Sequence, residues 1–389
     1  MSEAVVIVGS GLAGYNVARE LRKADAEVPI VVVSRDEAGF YSKPMLSNAL
    51  AGKKTAASLV TKSAEKMADE VKLRVLARTS VTKVDTAART LTLSNGEVLP
   101  YRDLVLALGA DPIRLHLEGD AADAVLSVND LDDFARFAEA LDTAGPGGQP
   151  VKRVAILGAG LIGCEFANDL LHREVQPTVL DLAERVLPRL LPPQASARLQ
   201  AKLEAGGASF RFGTGVTAVN RGANGLVLTL SDGSKLEADL VLSAIGLKPR
   251  TQLAADAGVA VNRGIVVDRH LATSVPHVHA VGDCAEVAGH LLPYVLPLMG
   301  QARALAATLA GKPTEVSYPA MPVVVKTPAW PTVVCPPAGD AQGEWEVTET
   351  EEAIEARFMA GDQLLGFVLQ GKATTQRQAL AAQTPALLA

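Results

Sequence analysis

The stretch Ala4-Val5-Val6-Ile7-Val8-Gly9-Ser10-Gly11-Leu12-Ala13-Gly14 decides the fold. Four apolar residues, Val5 to Val8, run straight into Gly9-x-Gly11-x-x-Gly14, and a helical pattern from Tyr15 to Lys23 follows at once. An unbroken apolar run of this length is how a strand buried on both faces reads. In such a turn Gly9 bends the chain, Gly11 lets the backbone reach a pyrophosphate, and Gly14 lets the helix pack on the strand. The helix then presents unpaired N–H groups and the positive end of its dipole to the phosphates. The unit returns at Val154-Ala155-Ile156-Leu157, followed by Gly158, Gly160 and Gly163. Two such units predict two bound dinucleotides and electron traffic between them.

The composition fits that reading. A chain of 389 residues is long enough for two or three domains, and 48% hydrophobic with 21% charged residues is ordinary for a globular protein. A net charge of −6 argues against nucleic acid as a partner. No apolar run approaches the roughly 18 residues of a membrane span. The first strand begins at Val5, which leaves no room for a signal peptide. Cys164, Cys284 and Cys335 form no CxxC or CxxxxC pair, as expected of a reducing cytoplasm. His277 and His279 alternate on one strand, but no ligand cluster accompanies them, so no metal is expected.

Beyond the first helix, Pro29 to Ser34 reads as the second strand, and either Ser34 or Asp36 is placed to bond a ribose. Phe40 to Ser47 reads as a loop entering a helix at 47–51, and residues 54–78 give no sharp signal. A longer repeat then appears. SNGEVLPYRDLVLALGADP (94–112) parallels SDGSKLEADLVLSAIGLKP (231–249). Each begins with a hairpin turn, Asn95-Gly96 or Asp232-Gly233. The whole strand-helix-hairpin module is therefore duplicated. The expected architecture is α/β: two Rossmann-like βαβ domains with parallel sheets and β-hairpin layers, then a small α+β C-terminal domain from Pro319.

Several side chains carry candidate chemistry. Asp181 closes the second strand of the second unit, where an acid accepts from both ribose hydroxyls and repels a 2′-phosphate; Arg185 weighs the other way. This favours NADH over NADPH. Lys43 and Glu165 read as a pair, the lysine steadying a reduced, anionic flavin ring and the glutamate holding the lysine. Asp283 ends a short strand and suits a sugar-like hydroxyl chain. The helix start Pro297-Leu298-Met299-Gly300-Gln301 offers its positive end to a developing flavin anion.

Together these stretches resemble the flavoproteins with two dinucleotide-binding domains, the family of glutathione reductase and the ferredoxin reductases. VVIVGSGLAG resembles their FAD fingerprint, VAILGAGLIGCE their NADH fingerprint, and GIVVDRHLATSVPHVHAVGDCA their second FAD motif. The resemblance implies FAD and NADH as cofactors. It implies FAD bound by residues 1–115 and 243–318, NADH by 116–242, and a C-terminal domain at 319–389. It implies Asp283 on the ribityl chain, a Lys43–Glu165 ion pair at the flavin, and the helix carrying Met299 against the pyrimidine edge. This chain lacks the family's redox cysteines near Ser42, which implies that electrons leave the flavin directly. The usual Ala-Thr-Gly before the crossover is Ala107-Leu108-Gly109 here. FYSKPMLSNAL and MPVVVKTPAWPTVVCPP most resemble the branch that serves rubredoxin, a small acidic iron protein, in alkane-oxidising bacteria. That implies a monomeric, cytoplasmic NADH-dependent reductase, with Lys326 and Trp330 at the flavin edge, the docking face or a domain interface. Lys43, Lys53, Lys54 and Lys62 would supply a basic docking rim. The alternatives are the ferredoxin reductase of a ring-hydroxylating dioxygenase, and an NADH-sensing flavoprotein without an acceptor.

Overall fold

The computed structural model describes residues 4–389. Val5–Val8 is wholly buried and lies at the centre of a five-stranded sheet. The spatial order is Val278–Ala280, Asp103–Leu106, Val5–Val8, Ile30–Val33, Arg74–Leu76, all parallel. The second fingerprint strand, Arg153–Leu157, is central in a second sheet of order Ser209–Phe212, Gln176–Asp181, Arg153–Leu157, Leu240–Ser243, Val125–Leu126, again all parallel. Strands covered on both faces have no solvent face to mark with polar residues, which is why both fingerprints read as continuous apolar runs.

The two halves are interleaved. In each, a three-stranded antiparallel meander precedes the fourth strand of the sheet: Val81–Asp85, Thr90–Leu93 and Val98–Pro100 in one, Val216–Gly222, Gly225–Leu230 and Lys235–Ala238 in the other. Each meander carries a register shift at the same place in its first strand. The turns match too: Gly96 and Gly233 have φ of 84° and 82°, and Asn95 and Asp232 each accept the N–H two residues on. After the fourth strand the chain crosses over. Ala110–Pro112 and Leu247–Pro249 pair antiparallel. The strand after each crossing, Val125–Leu126 or Val278–Ala280, completes the other sheet. The second unit is thus inserted into the first.

The C-terminal part is a five-stranded antiparallel sheet, ordered Val323–Val325, Thr332–Cys335, Gln363–Gly371, Ala353–Ala360, Glu344–Glu349, with a short helix Arg377–Ala381. It sits on the helix Pro193–Ala205 of the second unit. Trp330 is buried there, with the Arg198 guanidinium and the Lys202 ammonium over its ring at 5.7 and 4.8 Å. Gln370 bridges the Trp330 indole N–H and the Ala195 carbonyl.

Some expectations are corrected. Residues 47–51 are not a helix; the helix is a 3-10 segment, Lys43–Asn48. Pro44 starts it, and its continuation is cut off because the N–H groups of Leu50 and Ala51 go to the Asp169 carboxylate at 2.8 and 2.9 Å. Residues 54–78 hold two short helices, Ala56–Leu59 and Ala64–Val71, each N-capped by a side chain, Thr55 and Ser63. The helix expected from Pro297 begins at Val295.

The glycine spacing has a direct test. A Cβ on Gly14 or Gly163 would stand 1.9 Å from the carbonyl oxygen of Gly9 or Gly158, whereas one on Gly11 or Gly160 meets nothing within 4 Å. Gly163→Ala is therefore expected to destabilise by about 1–3 kcal/mol in urea unfolding, and Gly160→Ala by much less. Equal losses would contradict the close helix–strand contact.

Candidate functional site

Both fingerprint helices, Leu12–Ala24 and Leu161–Leu171, start at a glycine N-cap, with no side-chain cap and no acid in the first turn. Their first N–H groups remain available. With open space over Gly11 and Gly160, the residues fit two pyrophosphates. At the first turn, Ser34 and Asp36 act together rather than as alternatives. Asp36 Oδ1 accepts from Ser34 Oγ at 2.6 Å, from Ser10 Oγ at 3.2 Å and from the Ala38 N–H at 2.9 Å. At the second turn, Asp181 does the equivalent work: its Oδ2 accepts the Ala159 N–H at 2.6 Å and its Oδ1 the Ala183 N–H at 2.8 Å. Arg185 folds back, donating to the Pro188 carbonyl at 3.2 Å.

Asp283 lies in a one-turn 3-10 helix, Gly282–Cys284, beside the first fingerprint helix. Gly282 has φ of 76°, and a Cβ there would stand 2.7 Å from the Ala13 methyl. Its N–H donates to Gln301 Oε1 at 2.7 Å, which ties this turn to the helix Val295–Leu309. That helix has no side-chain cap and no acid in its first turn, so its free N–H groups belong to residues from Val295 onward. Met299 is consequently in the second turn, half-buried against the core, and not at the helix terminus as the sequence suggested.

The Lys43–Glu165 pair is not formed. Lys43 Nζ lies 4.0 Å from Asp283 Oδ2, with its side chain 34% exposed. Burial draws its pKa below the usual lysine value, while Asp283 raises it and Arg250 lowers it again. Glu165, only 3% exposed, pairs instead with Lys326 of the C-terminal domain. Glu165 Oε1 also accepts the Lys326 backbone N–H at 3.0 Å, and Oε2 the Ser47 hydroxyl at 2.5 Å. The reason is helical phase. At three residues per turn, Lys43 and Ser47 leave the 3-10 helix about 120° apart, so one segment serves Asp283 with one face and Glu165 with another.

Two neighbours of Glu165 complete the junction. Asn168 Oδ1 accepts the Ala329 N–H at 3.0 Å, and Asp169 takes those of Leu50 and Ala51. Burial raises the Asp169 pKa against these bonds. Arg250, which the sequence reading passed over, ties the two crossover segments together, donating to the Leu108 carbonyl at 2.7 Å and to Asp111. Arg250 lies one residue past the duplicated module, where the first copy has Ile113, so the duplication carries no signal for it.

Trp330 belongs to the domain interface described above and is not part of an open docking face. The proposed basic rim is incomplete, since Lys62 is paired with Glu70 and Lys43 with Asp283, leaving Lys53 and Lys54 exposed. Burial pushes the Cys164 thiol up to about 12 and those of Cys284 and Cys335 up to about 11, so all three are held as inert thiols. Among the described residues no cluster of His, Cys, Asp and Glu is arranged for a metal ion, and no helix is long and apolar enough to cross a membrane.

Comparison with known proteins gives the family of the chain. Residues 3–308 match the model of the pyridine nucleotide-disulphide oxidoreductase family, and residues 315–384 match one described as a rubredoxin binding C-terminal domain. The chain is 48% identical to a rubredoxin-NAD(+) reductase of Alcanivorax borkumensis, over 99% of both chains. It is 47% identical to a rubredoxin-NAD(+) reductase of Acinetobacter baylyi, over 97% of this chain and 96% of that one. Among solved structures, the ferredoxin reductase for the CYP199A2 system from Rhodopseudomonas palustris superposes with a TM-score of 0.87 at 27% identity, covering 99% of this chain and 96% of that one. With two open fingerprint turns in one interleaved pair of parallel sheets and this added domain, the chain belongs to the pyridine nucleotide-disulphide oxidoreductase family, in the branch that carries a rubredoxin-binding C-terminal domain.

Proposed function

We propose that this protein carries electrons from NADH through FAD to rubredoxin. One observation carries the reading: the domain that matches the rubredoxin-binding description also delivers Lys326 onto Glu165 of the second fingerprint helix. The domain that recognises the acceptor thus contributes a residue beside the place where the two nucleotides meet. Bound FAD supplies the chemistry, taking a hydride from NADH and releasing electrons singly.

The chain's residues then divide the work. Gly9, Gly11 and Gly14, with Ser34 and Asp36, hold the FAD pyrophosphate and ribose. Asp283 takes the ribityl hydroxyls, with Lys43 beside it on the polar side of the chain. Residues 1–115 and 243–318 form this FAD domain, and residues 116–242 hold NADH. There Gly158, Gly160 and Gly163 receive the pyrophosphate, and the free lone pairs of Asp181 receive the adenine ribose. Lys326 and Glu165 stand at the flavin, the ammonium favouring its reduced, anionic form, with the first turn of Val295–Leu309 adding its positive end. Met299, in the second turn of that helix, is the FAD contact it brings toward the pyrimidine edge. No thiol intervenes, so electrons pass directly to the acceptor. The reading includes a monomer working in the cytoplasm, whose reduced rubredoxin serves an alkane hydroxylase or an oxygen-defence protein.

Three outcomes test this. NADH with the purified holoprotein should bleach rubredoxin much faster than a [2Fe–2S] ferredoxin; the reverse order would move the chain to the ferredoxin-reducing branch, and turnover with neither would favour a sensor. Lys326→Met should lower the flavin midpoint potential and slow its reduction by NADH about tenfold, with Lys326→Arg close to wild type; an unmoved potential would remove Lys326 from the flavin site. Asp181→Ala should raise the KM for NADH about tenfold while leaving that for NADPH nearly unchanged or lower, and equal changes in both would reduce Asp181 to a brace for the Gly158 turn.

A further inference from the structure

The 3-10 helix Lys43–Asn48 sends three polar side chains in three directions. Lys43 reaches Asp283 and Ser47 reaches Glu165. Asn48 faces neither. Its Oδ1 is buried and has no hydrogen-bond partner among the described residues. Its backbone has little freedom to relieve this: Ser47 on one side is fixed by Glu165, and Leu50 and Ala51 on the other are fixed by Asp169. Buried acceptors are seldom left without a donor, and one held this firmly beside a site calls for a ligand group.

We propose that Asn48 is a cofactor-contacting residue whose side-chain amide recognises an amide edge, a carbonyl next to an N–H, of one of the bound nucleotides. The inference rests on the FAD and NADH reading above. A neutral amide suits this position because the nearby charges, Glu165 with Lys326 and Lys43 with Asp283, already compensate one another. An amide pairs with a partner that offers one donor and one acceptor side by side. The pyrimidine edge of the flavin and the carboxamide of nicotinamide both have that pattern; the phosphates lack it.

The test compares wild type with Asn48→Leu and Asn48→Gln as FAD-loaded proteins. The first readout is bleaching of the wild-type flavin by NADH, whose failure would overturn the cofactor reading itself, whatever Asn48 does. The second is the ratio of kcat/KM for NADH to that for its reduced 3-acetylpyridine analogue, which keeps the carbonyl and lacks the N–H. The third is FAD affinity, from reconstitution of the apoprotein. If Asn48 meets nicotinamide, Asn48→Leu lowers the ratio about three- to tenfold and FAD affinity holds; if it meets the flavin, FAD affinity falls by about that factor and the ratio holds. Asn48→Gln retains part of whichever effect is lost. Wild-type values for both readouts in Asn48→Leu would overturn the proposal. Should the leucine variant not fold, Asn48→Ser, which keeps a small polar side chain but no amide, decides by the same two readouts.

Discussion

One face of the helix Leu161–Leu171 holds the molecule's three parts in register. Glu165, Asn168 and Asp169 stand at i, i+3 and i+4, and so emerge on the same side. All three are nearly fully buried. A buried carboxylate is costly unless donors surround it. Here each donor comes from another part of the chain: Ser47, Leu50 and Ala51 from the first half, Lys326 and Ala329 from the C-terminal domain. Glu165 meets the Lys326 ammonium, and Asp169 meets the Leu50 and Ala51 N–H groups; burial raises the Asp169 pKa against those bonds and the charges of His172 and Arg173. Separating the parts would strand these carboxylates, so the seam favours a single arrangement.

That arrangement matters for electron transfer. A rubredoxin-binding domain free to drift would not hold its partner in one fixed position. The C-terminal sheet is instead held twice on the nucleotide-binding half. Lys326 and Ala329 reach the helix Leu161–Leu171, and Trp330 packs beneath Arg198 and Lys202 of the helix Pro193–Ala205. Gln370 closes the second contact through its bonds to the Trp330 indole and the Ala195 carbonyl. The apolar strand Val323–Val325 leads directly into Lys326, so the edge of the acceptor domain and the ion pair at the site are neighbours in the chain.

What the sequence made legible is what local physics dictates. The fingerprint glycines are required by contacts with residues a few positions away, and the hairpin turns by positive φ at Gly96 and Gly233. Duplication then carried the reading from one half to the other. The ion pair was different. The sequence pairs Glu165 with Lys43 and the structure pairs it with Lys326; both lysines stand near a proline, and only helical phase and domain docking select between them. Pro297 marks the first turn of the helix Val295–Leu309 but stands third in it, so a start read at Pro297 falls two residues late and puts Met299 in the first turn rather than the second. Ser34 and Asp36 were rival candidates in one dimension and hydrogen-bonded partners in three. Asn48 gave no signal, since an unpaired acceptor exists only once the surrounding donors have been assigned.

The central claim is that Glu165 acts with Lys326 and not with Lys43. A double-mutant cycle on the rate of flavin reduction by NADH tests it most directly, with Glu165→Gln combined in turn with Lys326→Met and with Lys43→Met. Strong non-additivity is expected for Glu165 with Lys326, the double variant being little slower than either single one, and near additivity for Glu165 with Lys43. Coupling of Glu165 to Lys43 and independence from Lys326 would contradict it.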